Sequence, residues 1–140
     1  METEQIRIQT GSREQVSDLT NQCRDFLDRI EAGDGLLHLW VPHATAGLAV
    51  IETGSGSEAD LLAALHELLP ADDRWGHQHG SPGHGRCHIL PALLPPYATV
   101  PVLGGRLALG TWQSICLVDT NVDNPVRRVR LSLLPSRLLG

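Results

Sequence analysis

Histidine is concentrated in one segment of the chain, which contains His77, His79, His84 and His88 within twelve residues. A further histidine, His43, lies in a loop sequence of the first half. Neutral imidazole is the commonest metal ligand in proteins, and three converging imidazoles suit Zn²⁺ or a similar ion with an open coordination position. The spacings H-x-H and H-x3-H are common by chance, so a solvated His-rich loop is the alternative interpretation.

Carboxylates and arginines supply further candidates for chemistry. Glu52 and Asp60 flank one Gly/Ser loop, where either can act as a general base or orient a histidine through its second ring nitrogen. Asp60 also fits the first turn of a helix, where the dipole favours a carboxylate. Arg86 and Arg106 are candidates for meeting an anionic group. Three arginines near the end of the chain are expected on a solvated strand face: Arg127, Arg128 and Arg130.

Charge and composition limit the classes of partner. The chain has 140 residues, a net charge of −5 and a pI near 5.7, which argues against nucleic acid or an anionic membrane as the main partner. No apolar run approaches the ~20 residues of a membrane span. All 11 basic residues are Arg, so a small phosphate-bearing or other anionic ligand is compatible with the sequence. The length indicates one domain over residues 1–140, and three separated cysteines favour a reducing cytoplasm.

Apolar periodicity predicts the order β-α-β-β-α-loop-β-β-β-β. Strands are expected over residues 4–9, 35–41, 48–52, 97–102, 106–109, 111–118 and 126–134. One amphipathic helix is expected to begin at Ser12 and to end at Gly33, and a second to span 58–69 after a Ser57 cap. Residues 71–96 are predicted to form a long irregular loop. The fold class is therefore α+β, with a mainly antiparallel, β-sandwich-like sheet packed with two helices.

Residues 104–119 carry the clearest local pattern. Gly104 and Gly105 between two apolar runs predict a hairpin turn, because both glycines can adopt a positive φ. The alternating apolar residues on either side predict a core hairpin in which Trp112 is a buried anchor. The strand around His38 is almost entirely apolar, so we expect it to be covered on both faces, with this histidine in the core.

Several of these segments occur together in a known pattern. They are HATAG at 43–47, Glu52, Asp60, WGH at 75–77, HGRCH at 84–88 and GRLALGTWQ at 105–113. Over nearly the whole chain, this combination resembles the YjbQ-type family, small proteins described as secondary thiamine-phosphate synthases. The GRLALGTWQ stretch is highly specific, and the HATAG loop is moderately so.

The resemblance implies a compact α+β sandwich that assembles as a homotrimer. It also implies a site near the subunit boundaries, where histidines can hold a divalent metal ion. The histidines His43, His77 and His88 match family positions and are the implied metal ligands. Imidazole ligands make zinc a better fit than magnesium, which prefers oxygen.

One family motif is altered in a way that affects the metal. The family's Asn-x-His-x-His falls on residues 84–88, so that the Asn is replaced by His84 and the first His by Arg86. Arginine cannot ligate a metal because it stays protonated. The chain therefore binds metal through the three implied ligands, uses His84 or His79 as a substitute, or has lost the metal.

Three functions stay open at this point. The resemblance implies a thiamine-phosphate synthase, which joins a pyrimidine diphosphate to a thiazole phosphate, with Arg86 and Arg106 as candidates for charge around the leaving diphosphate. The second is metal-assisted hydrolysis of a small substrate, with Glu52 or Asp60 as base. The third is a non-catalytic trimer that binds a metal or a small anion.

Overall fold

Two antiparallel sheets and one helix enclose the main core. In the computed structural model, which describes residues 1–137, the sheets have strand orders β1-β8-β3-β5-β6 and β2-β7-β4. The strands are β1 (Glu2–Gln9), β2 (Gln15–Asp18), β3 (Gly35–Trp40), β4 (Ala46–Ile51), β5 (Tyr97–Leu103), β6 (Arg106–Leu107), β7 (Ser114–Asp119) and β8 (Val126–Pro135). The helices are α1 (Thr20–Arg29), α2 (Ser57–Leu68), α3 (Leu90–Leu93) and a 3-10 helix (His84–His88). The antiparallel α+β prediction is confirmed, with three α-helices where two were expected.

Alternation of buried and exposed residues along β3, β5 and the first part of β8 builds one wall of the core. Leu37 of β3 pairs with Val100 of β5 on one side and with Leu133 of β8 on the other, and all three are buried. Leu117 of the small sheet and Phe26 of α1 belong to the same hydrophobic cluster. Because side chains alternate between faces, a single register fixes which residues of every strand enter this core.

The helix predicted from Ser12 is wrong in its first part. Residues 15–18 form β2, which is bound to β7 in antiparallel register, so the backbone groups of this segment are satisfied by a sheet instead of a helix. Helix α1 begins at Thr20, whose N–H and Oγ donate hydrogen bonds of 2.9 and 2.6 Å to Asp18 Oδ1. The helix ends at Arg29, with Ile30 as its C-cap, so it stops before Gly33, where its end was predicted.

The predicted hairpin over 104–119 is divided between the two sheets. The Gly-Gly turn joins β5 and β6 as expected, but β7 pairs with β2 and β4 in the small sheet. The prediction of a buried Trp112 is wrong, because its side chain is 73% exposed. It lies in a surface turn that Gln113 closes by accepting the backbone N–H of Gly110 at 2.8 Å.

One face of the five-stranded sheet, here called the outer face, is not covered by any of the residues 1–137. Alternation along β3 directs Leu36 and Trp40 outward, and they are 41% and 42% exposed. Trp40 stacks on Tyr97 with ring centroids 6.2 Å apart. His38 is not a core residue, since its Nδ1 lies 2.9 Å from Thr99 Oγ1 and the pair is exposed. The expectation that β3 is covered on both faces is therefore wrong for the single chain.

The long connection between α2 and β5 contains more structure than its sequence predicts. The 3-10 helix and α3 lie within the predicted loop, and the connection returns to the small sheet through the backbone of Leu94. Gly47 permits this contact, because a Cβ there would overlap the Leu94 carbonyl oxygen. Among residues 1–137, no helix combines the length and the apolar character needed to cross a membrane.

Candidate metal centre

Three imidazoles converge on the connection between α2 and β5. His84 and His88 are the two ends of the 3-10 helix, and His77 comes from the loop before it. Gly85 lets loop and helix meet, since a Cβ there would overlap the His77 carbonyl oxygen and the Cβ of Trp75. Trp75 is fixed by a hydrogen bond of 2.8 Å, which its Nε1 donates to the carbonyl oxygen of Pro70, two residues after the end of α2. We call His77, His84 and His88 the three-His cluster.

The three-His cluster has the dimensions of a ligand set. One ring nitrogen from each histidine lies within 4.8 Å of the other two. The Nε2 atoms of His84 and His88 are 3.1 Å apart, and the ring centroids of His77 and His88 are 3.7 Å apart. His77 Nε2 is buried and has no hydrogen-bond partner within residues 1–137. A buried nitrogen without a partner is rare in folded proteins, and here it marks an atom available to a ligand.

Burial and neighbouring charges favour the neutral form of His77 and His88. Burial lowers the pKa of His77 below its ordinary value, and the charges of His79 and His84 lower it further. Burial and the neighbouring histidines likewise lower the pKa of His88. A neutral imidazole has the free lone pair that a metal ion requires. His79 is an exposed neighbour whose ring centroid lies 3.8 Å from that of His77.

A carboxylate lies behind the cluster. His84 Nδ1 is 3.0 Å from Asp123 Oδ2, and the His84 side chain is only 8% exposed. Asp123 Oδ2 also accepts hydrogen bonds from Ser81 N–H at 3.0 Å and Ser81 Oγ at 2.9 Å. These bonds and the nearby histidine lower the pKa of the Asp123 carboxyl. Asp123 is therefore held as a carboxylate on the side of the His84 ring opposite to Nε2.

The cluster forms part of the wall of a cleft of about 390 Å³. His77 and His84 contribute to the lining together with Asp72 and Asp73, and no arginine takes part. Asp72 is engaged by Arg74, which donates to both carboxylate oxygens. The charge of Asp72 is thus balanced by Arg74, and the cleft opens beside His77 and His84.

Arg86 lies in the same 3-10 helix, but its guanidinium has other partners. It is 3% exposed, donates to the Leu69 carbonyl oxygen at 3.1 Å and forms an ion pair with Glu14. Glu14 also contacts His66 Nε2 at 2.7 Å. Because these protein acceptors occupy the guanidinium, Arg86 has little capacity left for a substrate anion.

The structure places His43 outside the three-His cluster. Its Nε2 accepts the backbone N–H of Arg128 at 3.0 Å. Burial, followed by the charge of Arg127, lowers the pKa of His43. The neutral ring therefore carries its proton on Nδ1. Of the three metal ligands that the family resemblance implies, His77 and His88 lie together, and the third imidazole beside them is that of His84, not His43.

The remaining predicted residues are dispersed. Glu52 is exposed and accepts a 3.2 Å hydrogen bond from Ser55, while Asp60 is exposed on α2. Arg106 is exposed and lines a second cleft, of about 400 Å³, together with Arg24. Neither carboxylate belongs to the three-His cluster, so the chain by itself does not assemble the predicted base beside the predicted metal ligands.

A buried ion pair was missed by sequence reasoning. Arg127, expected on a solvated face, is 1% exposed, and its Nε donates to Asp119 Oδ2 at 2.6 Å. Its second nitrogen donates to Asp119 Oδ1 and to Thr45 Oγ1, at 3.0 and 2.8 Å. Alternation on β8 gives the reason, because Arg127 shares the inward face with Val129 while Arg128 points outward. The pair anchors the HATAG loop to the end of β7.

Comparison with known proteins gives a consistent result. The family described as UPF0047 protein YjbQ-like matches residues 4–136. The UPF0047 protein Rv2556c of Mycobacterium tuberculosis is 54% identical over 134 residues, which cover 96% of this chain and 98% of that protein. The UPF0047 protein YjbQ of Salmonella typhimurium is 30% identical, with 82% and 85% of the two chains covered.

Solved structures agree with the fold. A hypothetical protein of Aeropyrum pernix, APE1520, superposes with a TM-score of 0.87 at 34% identity, covering 97% of this chain and all of the other. A YbjQ-like protein of unknown function from Sulfolobus solfataricus gives a TM-score of 0.89 at 24% identity over 96% of this chain and 97% of that one, a likeness of fold alone. The family match over almost the whole chain and the relatives above 30% identity show that this chain belongs to the YjbQ-like UPF0047 family.

Proposed function

We propose that the chain binds a zinc-class divalent metal ion through His77, His84 and His88. The observation that carries this proposal is the convergence of three imidazoles, two of which have a buried ring nitrogen without an aligned hydrogen-bond partner within residues 1–137. Zn–N bonds of about 2.05 Å at tetrahedral angles separate two ligand nitrogens by about 3.3 Å. The 3.1 Å between His84 Nε2 and His88 Nε2 fits that separation. Imidazole ligands favour zinc over magnesium.

We further propose metal-assisted hydrolysis of a small substrate as the function of this site. Catalytic zinc sites keep three protein ligands and one open position, whereas structural sites are closed by four. Three histidines, of which His77 and His84 line a cleft, match the open type. A zinc ion there would polarise a water molecule for attack. Within residues 1–137 the lining contains no arginine or lysine, and Asp73 adds a carboxylate beside the Asp72–Arg74 ion pair, which favours a neutral or cationic substrate over a phosphate.

Metal analysis of protein purified without a His tag tests the proposal. We expect about one zinc per chain, and a Co²⁺-substituted protein with the strong visible absorption of tetrahedral coordination. His88→Ala is expected to lose both, while the matched control His38→Ala, which removes a histidine from the outer face, keeps both. Zinc below about one-third per chain after addition of excess Zn²⁺ would reject the metal centre.

A panel of small esters, amides and phosphate esters then tests hydrolysis. Turnover by the zinc-loaded protein that is lost in His88→Ala and kept in His38→Ala supports it. Zinc binding without turnover of any compound would favour the non-catalytic metal-binding alternative.

A second candidate is the thiamine-phosphate synthase activity implied by the family resemblance. It is favoured by the cleft that Arg24 and Arg106 line, because two guanidinium groups can hold a diphosphate. Pyrophosphate titration tests it: Arg106→Ala is expected to weaken binding, while Arg7→Ala, on an exposed strand position, leaves it unchanged. Equal growth of a thiamine-requiring host with wild type and Arg106→Ala would remove Arg106 from the synthase role.

We also propose that the chain assembles as a homotrimer through the outer face of the large sheet. Large apolar side chains are exposed there without cover, including Trp40, Tyr97 and Leu103 at 42%, 53% and 61%. Contiguous apolar surface of this kind is typical of protein interfaces. Light scattering is expected to give three times the chain mass, and Trp40→Glu to lower it. A monomer at micromolar concentration would contradict the proposal.

A further inference from the structure

We propose that Asp123, anchored by Ser81, is a positioning residue that directs the Nε2 lone pair of His84 into the metal centre. The inference rests on the proposed metal site and goes beyond it, because Asp123 is not one of the three ligands. Asp123 lies in the connection between β7 and β8, far along the chain from the three-His cluster.

The geometry around Asp123 Oδ2 carries the inference. Two donors of Ser81, its N–H and its Oγ, meet this one oxygen at 3.0 and 2.9 Å. His84 Nδ1 approaches the same oxygen to 3.0 Å. The contact has the length of a hydrogen bond without its alignment, so that His84 Nδ1 has no aligned partner within residues 1–137. This oxygen is the acceptor within hydrogen-bond distance of His84 Nδ1, and the two bonds from Ser81 hold it in place.

The consequence for His84 is a choice of tautomer. A carboxylate accepts hydrogen bonds and cannot donate them, so it favours the proton on Nδ1. The opposite nitrogen, Nε2, then presents a lone pair toward His88 Nε2, which lies 3.1 Å away. Histidine ligands commonly donate their second ring nitrogen to a carboxylate, and loss of such a partner typically costs about 10- to 100-fold in metal affinity.

The position of Asp123 also fits the set of imidazoles that the structure brings together. Arg86 lies between the two histidines of the 3-10 helix, but it is paired with Glu14 and stays protonated, so it cannot ligate a metal. His84 is therefore the third imidazole beside His77 and His88. Asp123 is the carboxylate that the structure places against the free ring nitrogen of His84.

Zinc titration against a competing chelator tests the inference on the full chain. Asp123→Ala is expected to raise the zinc Kd about tenfold or more, and Asp123→Asn, which keeps an acceptor oxygen, to bind more tightly than Asp123→Ala. Asp34→Ala is the matched control, because Asp34 also accepts a backbone N–H, that of Gly104 at 2.6 Å, away from the cluster. Its zinc Kd is expected to equal that of the wild type.

A metal-free readout separates this inference from the metal site itself. Long-range ¹H–¹⁵N spectra of apo protein are expected to show the proton of His84 on Nδ1 in the wild type and shifted toward Nε2 in Asp123→Ala. Zinc binding by Asp123→Ala within twofold of wild type would overturn the positioning role and leave the metal site intact. A wild type that binds no zinc would overturn both proposals.

Discussion

The ion pair between Glu14 and Arg86 allows a quantitative test of the structural role assigned to this arginine. Arg86 is 3% exposed and Glu14 is 22% exposed, so Glu14→Gln leaves a buried guanidinium without its counter-charge. Breaking a buried pair from one side costs about 3–5 kcal/mol. We expect the lower value, about 3 kcal/mol, since Glu14 is partly solvated and the Leu69 carbonyl oxygen remains as an acceptor.

Urea denaturation at fixed protein concentration measures this loss. With an m-value of about 1.5 kcal/mol/M, the midpoint of Glu14→Gln should fall by about 2 M. Arg86→Met removes the buried charge itself and should cost less, and the double variant should recover much of the loss in Glu14→Gln. Exposed surface ion pairs contribute only about 0–1 kcal/mol. A free energy of unfolding for Glu14→Gln within about 0.5 kcal/mol of wild type would therefore place this pair in the surface class and refute its role as a buried pair.

Three further predictions concern stability and the site. Asp119→Ala leaves the buried Arg127 guanidinium without its counter-charge, so the free energy of unfolding of this variant should fall by about 3–5 kcal/mol in urea denaturation. A loss below about 1 kcal/mol would contradict the role of this pair. His77 and His88 have lowered pKa values in the folded protein, so they bind more protons in the unfolded chain. The urea midpoint should therefore be highest above the ordinary histidine pKa of 6.5 and should fall as the pH drops below it. The fall should be shallower in the His77→Ala/His88→Ala protein. Gly85→Ala should weaken zinc binding in chelator competition, because its Cβ would separate the His77 loop from the 3-10 helix, whereas Gly33→Ala, which has open space, should not.

The fold could be predicted to the extent that periodicity alone decided it. Strand β8 and helix α2 have long, regular patterns, and both lie where they were expected. Strand β2 has four residues, and its Val16 also fits the helical spacing that continues into α1, so only the pairing with β7 decides its state. The residue type of Trp112 favours the core, but burial requires a partner surface, and the described part of the chain leaves its side chain exposed.

The candidate site was predictable only in part, for a similar reason. His77 and His88 stood out by residue type and motif, and the structure brings them together. Asp123 lies 42 residues from Ser81, and no local spacing connects the two. Glu14 lies 72 residues from Arg86, so a sequence reading could not show that this arginine was already paired. Contacts of this range depend on the register of the sheets that bring the segments together.

The choice between His84 and His43 as the third metal ligand is the most direct test of the account. Zinc affinity of tag-free protein, measured by competition with a chromophoric chelator, should fall in His84→Ala by more than the roughly 10- to 100-fold that loss of an outer-shell partner typically costs. His43→Ala should bind zinc as the wild type does, because His43 Nε2 is occupied by the Arg128 N–H. Loss of zinc in His43→Ala with full affinity in His84→Ala would contradict the three-His cluster as the metal centre.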